Sequence, residues 1–524
     1  MGSSVVIYYN YNNKKLFFFL YIAYCNNLSK RTIMKYKIVF TLILLSISLN
    51  ANAQFVDDAV RFINSNAFKS IRAAALGEAY FGFSDDGSAL LSNPAGITLI
   101  PVSEFSMGMN LTSHNTITNF LGNNKKEINN EFYFTNVNFI FPTFVNNDFY
   151  NYNNYENENE DKGFNFKFGF DYHISNDFCK STNYGGFNPY NTFIAQQASK
   201  KQEWVKVAGL VDEYYQTDIR NNMYQDGFIV EDGGLHNLSF GFGMDLDQIF
   251  SLGATITMKF GTYKYNRKYF ENDKDNNYYI IPFNVDRISV VEKLTQELFG
   301  VTGIIGCQAR LSRYCRFGVA VTFPTLLIDS EYFAANYHTL FDNNNTSRYS
   351  TGSMYNVYNI VTPFEFTAGL SGNIKGLSYS VSATTLNAAN TYFKGKELFE
   401  LNYDDLLFFD DLNDLIEQAL TRQYKMGVGL EYKIPNAPLY LRGSYSLQTS
   451  PYKDKTICNN NNIIGAGVGL VLTNNLIIDA SLVYSSQDYR MTNYGSDAVP
   501  HLASFYNVKY TPMSYLLGFR YRFY

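Results

Sequence analysis

The feature that most constrains this chain is strict period-2 alternation in segments of about ten residues. Phe164, Phe166, Phe168, Phe170 and Tyr172 alternate with Asn165, Lys167, Gly169 and Asp171. Leu238, Phe240, Phe242, Met244 and Leu246 alternate with Ser239, Gly241, Gly243 and Asp245. Leu252, Ala254, Ile256, Met258 and Phe260 repeat the pattern, and so do Ile464, Ala466, Val468, Leu470 and Leu472. Successive side chains of a strand point to opposite faces, so each segment has one apolar face and one polar or small face.

Fourteen such segments are predicted, near 103–113, 130–141, 164–174, 236–246, 250–265, 299–311, 315–326, 362–373, 376–386, 422–433, 437–449, 462–473, 475–486 and 512–523. About ten residues is what a tilted strand needs to cross a bilayer. An even number of strands returns both ends of a barrel to one side. The connections also sort themselves. Those at 247–249, 312–314, 374–375, 434–436 and 474 are tight, whereas 174–235, 266–298, 327–361, 387–421, 450–461 and 487–511 are long. Short turns at one end and long loops at the other are expected of a membrane barrel, not of a soluble sandwich. The stretch 142–163 breaks the rule and reads as a polar low-complexity insertion. The predicted fold class is all-β: a 14-stranded antiparallel transmembrane β-barrel over 103–524.

Composition agrees with this pattern. The chain has 44 Tyr and 45 Phe but one Trp, and only 17% charged residues. Beyond residue 53 no apolar run approaches the roughly 18 residues of a membrane helix. Residues 34–53 read as a secretory signal peptide: Lys35 and Lys37 near its start, an apolar stretch from Ile38 to Leu49, and Ala51-Asn52-Ala53 before Gln54. Residues 1–33 read as an upstream extension from a misassigned start. Without residues 1–53, which carry six basic and no acidic side chains, 36 basic residues face 47 acidic ones, a net charge of −11. That balance argues against a nucleic-acid partner.

Nothing points to catalysis. Gly465-Ala466-Gly467-Val468-Gly469 lies in mid-strand with no helix after it, so it is no dinucleotide loop. The five histidines are scattered, and Cys179, Cys307, Cys315 and Cys458 have neither zinc nor disulfide-scaffold spacing. No enzyme activity, cofactor or metal is expected.

Residues 54–102 are neither signal nor strand. They contain Arg72-Ala73-Ala74-Ala75-Leu76-Gly77-Glu78-Ala79-Tyr80 and then Ser84-Asp85-Asp86-Gly87-Ser88-Ala89-Leu90-Leu91-Ser92-Asn93-Pro94-Ala95-Gly96-Ile97. This region resembles the N-terminal part of the FadL/TodX family of outer-membrane hydrophobic-compound transporters, in the form typical of Bacteroidota. Weaker matches are Leu439 to Tyr445, Ser450 to Lys453 and Ile478-Asp479-Ala480. The resemblance implies a barrel of fourteen strands, with 54–102 folded as a hatch inside the lumen. The motif residues it singles out are Asp85, Asp86, Asn93, Pro94, Ala95 and Gly96. It implies passive uptake of small hydrophobic compounds such as long-chain fatty acids, a hydrophobic small-molecule ligand, surrounding outer-membrane lipid and a monomeric barrel. Two other readings stay open: a FadL-like shuttle or binding protein of type IX secretion, and a barrel that binds surface ligands. The substrate-binding residues are unknown at this stage.

Gly-rich faces on the fourth and twelfth segments would leave room for such a hatch. Arg310, Arg316, Arg442, Arg520 and Arg522 fall on the same predicted inward faces. The hatch carries Asp57, Asp58, Glu78, Asp85 and Asp86, so charge-assisted pairs across the hatch–wall contact are expected. An apolar stripe over Asp404 to Gln423 predicts a helix in the longest late loop, either capping the mouth or packing within its loop.

Overall fold

The computed structural model describes residues 8–11, 14–17, 52–64, 67–142, 165–246, 249–280, 284–312, 314–395, 403–495 and 500–523. The signal peptide and upstream extension lie almost wholly outside the described residues, as does most of the polar insertion. The described part of residues 1–51 is a short antiparallel pair, Tyr8–Tyr11 with Lys14–Phe17.

From residue 103 onward the chain forms one closed antiparallel barrel of fourteen strands. They are β1 (Ser103–Phe120), β2 (Asn123–Pro142), β3 (Asn165–Asp177 continued by Lys180–Asn188), β4 (Met223–Leu246), β5 (Phe250–Asn272) and β6 (Val285–Ser312). Next come β7 (Cys315–Thr322 and Leu326–Phe341), β8 (Thr346–Val361 and Glu365–Ile374) and β9 (Leu377–Asn387 and Tyr392–Gly395). The last five are β10 (Arg422–Lys433), β11 (Leu439–Gln448), β12 (Asn461–Val471), β13 (Leu476–Tyr494) and β14 (Ser504–Tyr510 and Met513–Phe523). β14 closes the ring on β1, from Phe523 opposite Ser103 to Met513 opposite Ser113.

The alternation becomes an outside and an inside. Phe168, Phe240, Phe242, Leu252, Ile256, Met258, Ile464, Leu470, Leu517 and Phe523 are exposed on the outer surface. Their neighbours Ser239, Thr255, Thr257, Asp171 and Asp479 are buried within. A closed sheet leaves no unpaired edge in the bilayer, which is why strands can cross it at all. Among the described residues no helix is long and apolar enough to cross a membrane.

The sequence reading errs on the long connections. Much of what was expected as loop is ladder: β6 has 28 residues, β4 has 24 and β5 has 23. Those exceed the membrane requirement about twofold, so the wall continues beyond the bilayer. Period-2 alternation weakens there because both faces meet water or aromatic packing. Two hairpins turn on consecutive residues of positive φ, Leu121-Gly122 (49° and 88°) and Lys375-Gly376 (52° and 85°). That geometry matches the right-handed twist of the strands. The ladder between β2 and β3 runs only from Pro142 opposite Lys167 to Asn136 opposite His173, while β2 continues to Asn123. Beyond Asn136, β2 has no ladder partner on that side among the described residues.

Inside the barrel lies the N-terminal segment. It consists of α1 (Asn52–Ile63), α2 (Ile71–Leu76), a 3-10 turn Gly77–Ala79, α3 (Tyr80–Phe83) and two further 3-10 turns, Gly87–Leu91 and Pro94–Leu99. Nearly every described side chain from Ser70 to Ile100 is buried. At the long-loop end α4 (Phe193–Ser199), α5 (Glu203–Val207) and α6 (Tyr403–Ala419) cover the mouth region. Trp204 of α5 stacks on Tyr337 and Phe193. The predicted late-loop helix is α6, and Leu412, Ile416 and Leu420 in and after it pack in one cluster with Val56, Ala59, Phe62 and Ile63 of α1.

Candidate functional site

The site is the contact between the inner segment and the barrel wall. Its turns are fixed locally. Asp86 caps the turn Gly87–Leu91 by accepting from the Ser88 amide at 3.0 Å, and Ser70 caps α2 through the Ala73 amide at 3.1 Å. Asn93 caps Pro94–Leu99 by accepting from the Ala95 amide at 3.3 Å. Pro94 follows at the position where a missing N–H costs nothing.

The motif residues then reach the wall. The Asn93 amide donates to the Cys307 carbonyl of β6 at 3.0 Å. A Cβ at Gly306 would lie 2.1 Å from Asn93 Oδ1, and one at Gly253 would lie 2.4 Å from the Ala95 nitrogen. Within the segment, a Cβ at Gly96 would fall 1.9 Å from the Ser84 carbonyl oxygen, so only glycine fits there. Gly241 and Gly243 of β4 face Leu90 and Ile97, and Gly465 and Gly467 of β12 face Ala74 and Ala75. These are the two strands whose sequences put a glycine stripe on the polar face.

Charge completes the contact. Arg72, almost fully buried, donates to both Glu431 oxygens of β10 at 2.9 and 3.0 Å, to Asp85 at 2.6 Å and to Asp86 at 3.2 Å. Glu431 also accepts from Arg442 of β11 at 2.5 Å, and Arg442 donates to Asp479 of β13 at 2.6 Å. Asp479 accepts from Arg520 of β14 at 3.0 Å, and Arg520 comes within 3.9 Å of Asp86. The chain of pairs thus leaves the segment at Arg72, crosses four wall strands and returns at Asp86. Nearby, Glu104 of β1 accepts from the Gly87 amide and from Arg522, both at 3.0 Å.

The structure distributes the five predicted arginines unequally. Arg316 and Arg520 face the segment directly, through Asp85 at 3.5 Å and Asp86. Arg442 and Arg522 pair with the wall acids Glu431, Asp479 and Glu104. Arg310 pairs with no acid among the described residues. Asp57 and Asp58 lie in α1, away from these arginines: Asp57 accepts from Tyr452 and Asp58 pairs with Arg61. Glu78 forms backbone contacts instead, its amide donating to Ser446 at 3.0 Å and its carbonyl accepting from Ser382 at 2.6 Å. Sequence reasoning passed over Arg72, Glu431, Asp479 and Glu104. The available signal was position: Glu431 and Asp479 sit on the polar face of strands whose other face is apolar.

Burial pushes the Asp86 carboxyl up, but Arg72 and Arg520, with bonds from Ser88 and Tyr80, outweigh it and hold it down at about 2. A depressed folded-state value stabilises the docked segment above the ordinary carboxyl value of 3.8 and is lost as pH falls through about 2. The loss amounts to about 2 kcal/mol. Acidification across that window is therefore expected to raise ionic leak through the barrel in planar bilayers, and D86N to remove the acid-dependent step. Wild-type leak that stays flat throughout would show that Asp86 does not hold the segment. The four described cysteines are free, and no cluster able to hold a metal exists among the described residues.

No protein-family model matches the chain, and no curated protein matches its sequence. Solved structures do. A Pseudomonas aeruginosa FadL homologue superposes with a TM-score of 0.53 at 12% identity, over 88% of this chain and 100% of that one. The P. putida toluene transporter TodX superposes with a TM-score of 0.51 at 11% identity, over 86% of this chain and 98% of that one. At such identities what is shared is the fold. By its fold, the chain is similar to the barrels of the FadL homologue and of TodX.

Proposed function

We propose that this protein is an outer-membrane channel for passive uptake of small hydrophobic compounds, long-chain fatty acids among them, with residues 54–102 as a movable hatch. The observation that carries the reading is what fills the lumen. Among the described residues the inner segment packs closely against strands around the ring, where a polar solute would need a wide aqueous pore. Towards the long-loop end the inside carries an apolar and aromatic cluster beside a group of buried acids: Phe62, Phe178, Tyr263, Leu298, Ile360 and Phe393 share that cluster with α6. A greasy solute gains by leaving water for such a lining. The segment itself is held largely by polar and charged contacts, which can be exchanged for others at modest net cost. The upper stretch of β2, laddered to β1 but joined to β3, among the described residues, only through side chains such as Lys125 and Glu127, supports a route through the wall.

The same reading takes residues 34–53 as a cleaved signal peptide. Cleavage before Gln54 would remove only the first two residues of α1 and keep Asp57, Asp58 and Arg61. The barrel would act as a monomer in outer-membrane lipid.

The test is uptake by cells lacking the protein, with a labelled long-chain fatty acid, a monoaromatic and an alkane. Uptake of at least one class should fall and return on complementation. Unchanged uptake of all three, with a loss of secreted surface proteins, would replace this reading by a secretion shuttle.

A further inference from the structure

The helix α1 stands apart from the charge network that holds the rest of the inner segment. It rises from residue 63 toward the long-loop end and packs into the wall among acids. Its own Asp58 is fully buried and pairs with Arg61, whose guanidinium lies 3.8 Å over the ring of Tyr263. Asp57 accepts from Tyr452 at 2.7 Å. From β4, Glu231 accepts from Tyr263 at 2.8 Å and pairs with Lys180 of β3 at 3.4 Å. From β7 come Asp329 and Glu331, and from β8 comes Tyr358, which donates to Glu331 at 2.8 Å. Cys458 adds a thiol. The helix α6 turns Leu412 and Ile416 to α1 and Asp410, Asp411, Asp414 and Glu417 to solvent, and the turn Ala388–Asn390 carries no charge. Among the described residues, five carboxyls therefore meet two cations around α1.

Hydrogen-bond accounting locates the imbalance. Gln296 of β6 is fully buried between Asp58 and Asp329. Its amide nitrogen donates to Asp329 Oδ2 at 2.8 Å and shares its other hydrogen between the Tyr358 hydroxyl at 3.2 Å and Asp58 Oδ2 at 3.5 Å. That leaves two acceptors without a donor, Asp329 Oδ1 and Gln296 Oε1, both buried. Buried acceptors left unmade are costly. One proton resolves both: a protonated Asp329 donates to the Gln296 oxygen while its other oxygen keeps the amide bond, the cyclic pairing of a carboxylic acid with an amide.

We propose that α1 docks on a protonated Asp329–Gln296 pair, so that docking takes up a proton and rising pH releases α1 from the outer half of the lumen. Burial also pushes the Asp57 and Asp58 carboxyls up, against the pull of Tyr452 and Arg61. The sign is the reverse of that for Asp86. A group that binds its proton more tightly when docked favours docking at low pH and opposes it as pH rises, by up to about tenfold in the docked-to-released ratio per pH unit and proton. The inference does not depend on which compound crosses the barrel.

Hydrogen–deuterium exchange of the full chain in detergent reads it without a solute. Corrected for intrinsic rates, protection of residues 52–64 should fall at least about tenfold between about pH 5.5 and about pH 8.5, while residues 71–99 keep theirs. Asp329→Asn replaces the acid–amide pair by a neutral amide–amide pair and should keep α1 protected at the higher pH. Should D329N fail to fold, Q296E adds a carboxyl at the same spot and should move the loss of protection to lower pH. Constant protection of 52–64 in the wild type, or the same fall in D329N, overturns the proposal.

Discussion

Arg72→Leu is expected to unlock the inner segment and leave a barrel that leaks ions. Among the described residues Arg72 is the one cation that touches Glu431, Asp85 and Asp86 at once. Without it the three carboxyls keep Arg442 on Glu431, Arg316 on Asp85 at 3.5 Å and Arg520 near Asp86 at 3.9 Å, and Arg442 and Arg520 are already shared with Asp479. Breaking a buried pair by deleting one side costs about 3–5 kcal/mol, mostly from the charge left behind. The barrel ladder does not depend on this contact, so strands should persist while the segment lifts away. Single-channel recordings should show large, long openings that the wild type lacks, and the first step of thermal unfolding should move down. Arg72→Lys keeps the charge but loses the two-pronged grip on Glu431 and should leak at an intermediate level. Closed, quiet R72L channels would mean that shape alone seats the segment.

The second large effect is steric. Gly253→Val should expel the Pro94–Leu99 turn from its seat on β5. A Cβ there would stand 2.4 Å from both the Ala95 nitrogen and the Pro94 carbonyl carbon. These are backbone atoms, so no side-chain rotation relieves the clash. Overpacking of this kind costs about 1–3 kcal/mol when neighbours can yield and more when they cannot. Gly303→Ala is the matched control, since its Cβ would meet nothing closer than 3.4 Å. G253V should fold as a heat-modifiable barrel on gels yet leak, and G303A should behave as wild type within about 0.5 kcal/mol. A silent G253V would show that the turn can shift without losing the seal.

Both effects sit on residues that differ in how far the sequence exposes them. The wall was legible because oil outside and polar filling inside force a period of two, as from Leu252 to Phe260. Glycines on the polar face, such as Gly241 and Gly465, were legible as space, and the structure puts Leu90 and Ala74 in it. Asn93 to Gly96 were legible only through resemblance, since nothing local says that Gly96 must lie under Ser84. The arginines were visible as a set, but their partners were not: pairing depends on which strands neighbour each other around a ring. The register that joins Glu431 to Arg442 is set by the hairpin after Lys433, whereas Asp86 reaches Arg520 across 434 positions of chain. The upper wall was misread for a physical reason. Above the bilayer, outward positions need not be apolar, so the stripe that marks a strand fades although its backbone ladder continues.

That continued ladder has a consequence for how the protein meets its surroundings. Strands such as β4, β5 and β6 raise a stiff stockade above the lipid, tied rung by rung from Tyr224 opposite Asn272 to Asn272 opposite Arg287. Large neighbours, whether phage tails, antibodies or proteases, would meet a hard collar where these strands rise. Peptide tags should therefore be tolerated at the 342–345 turn between β7 and β8, and rejected a few residues below it, where an insertion would split paired strands.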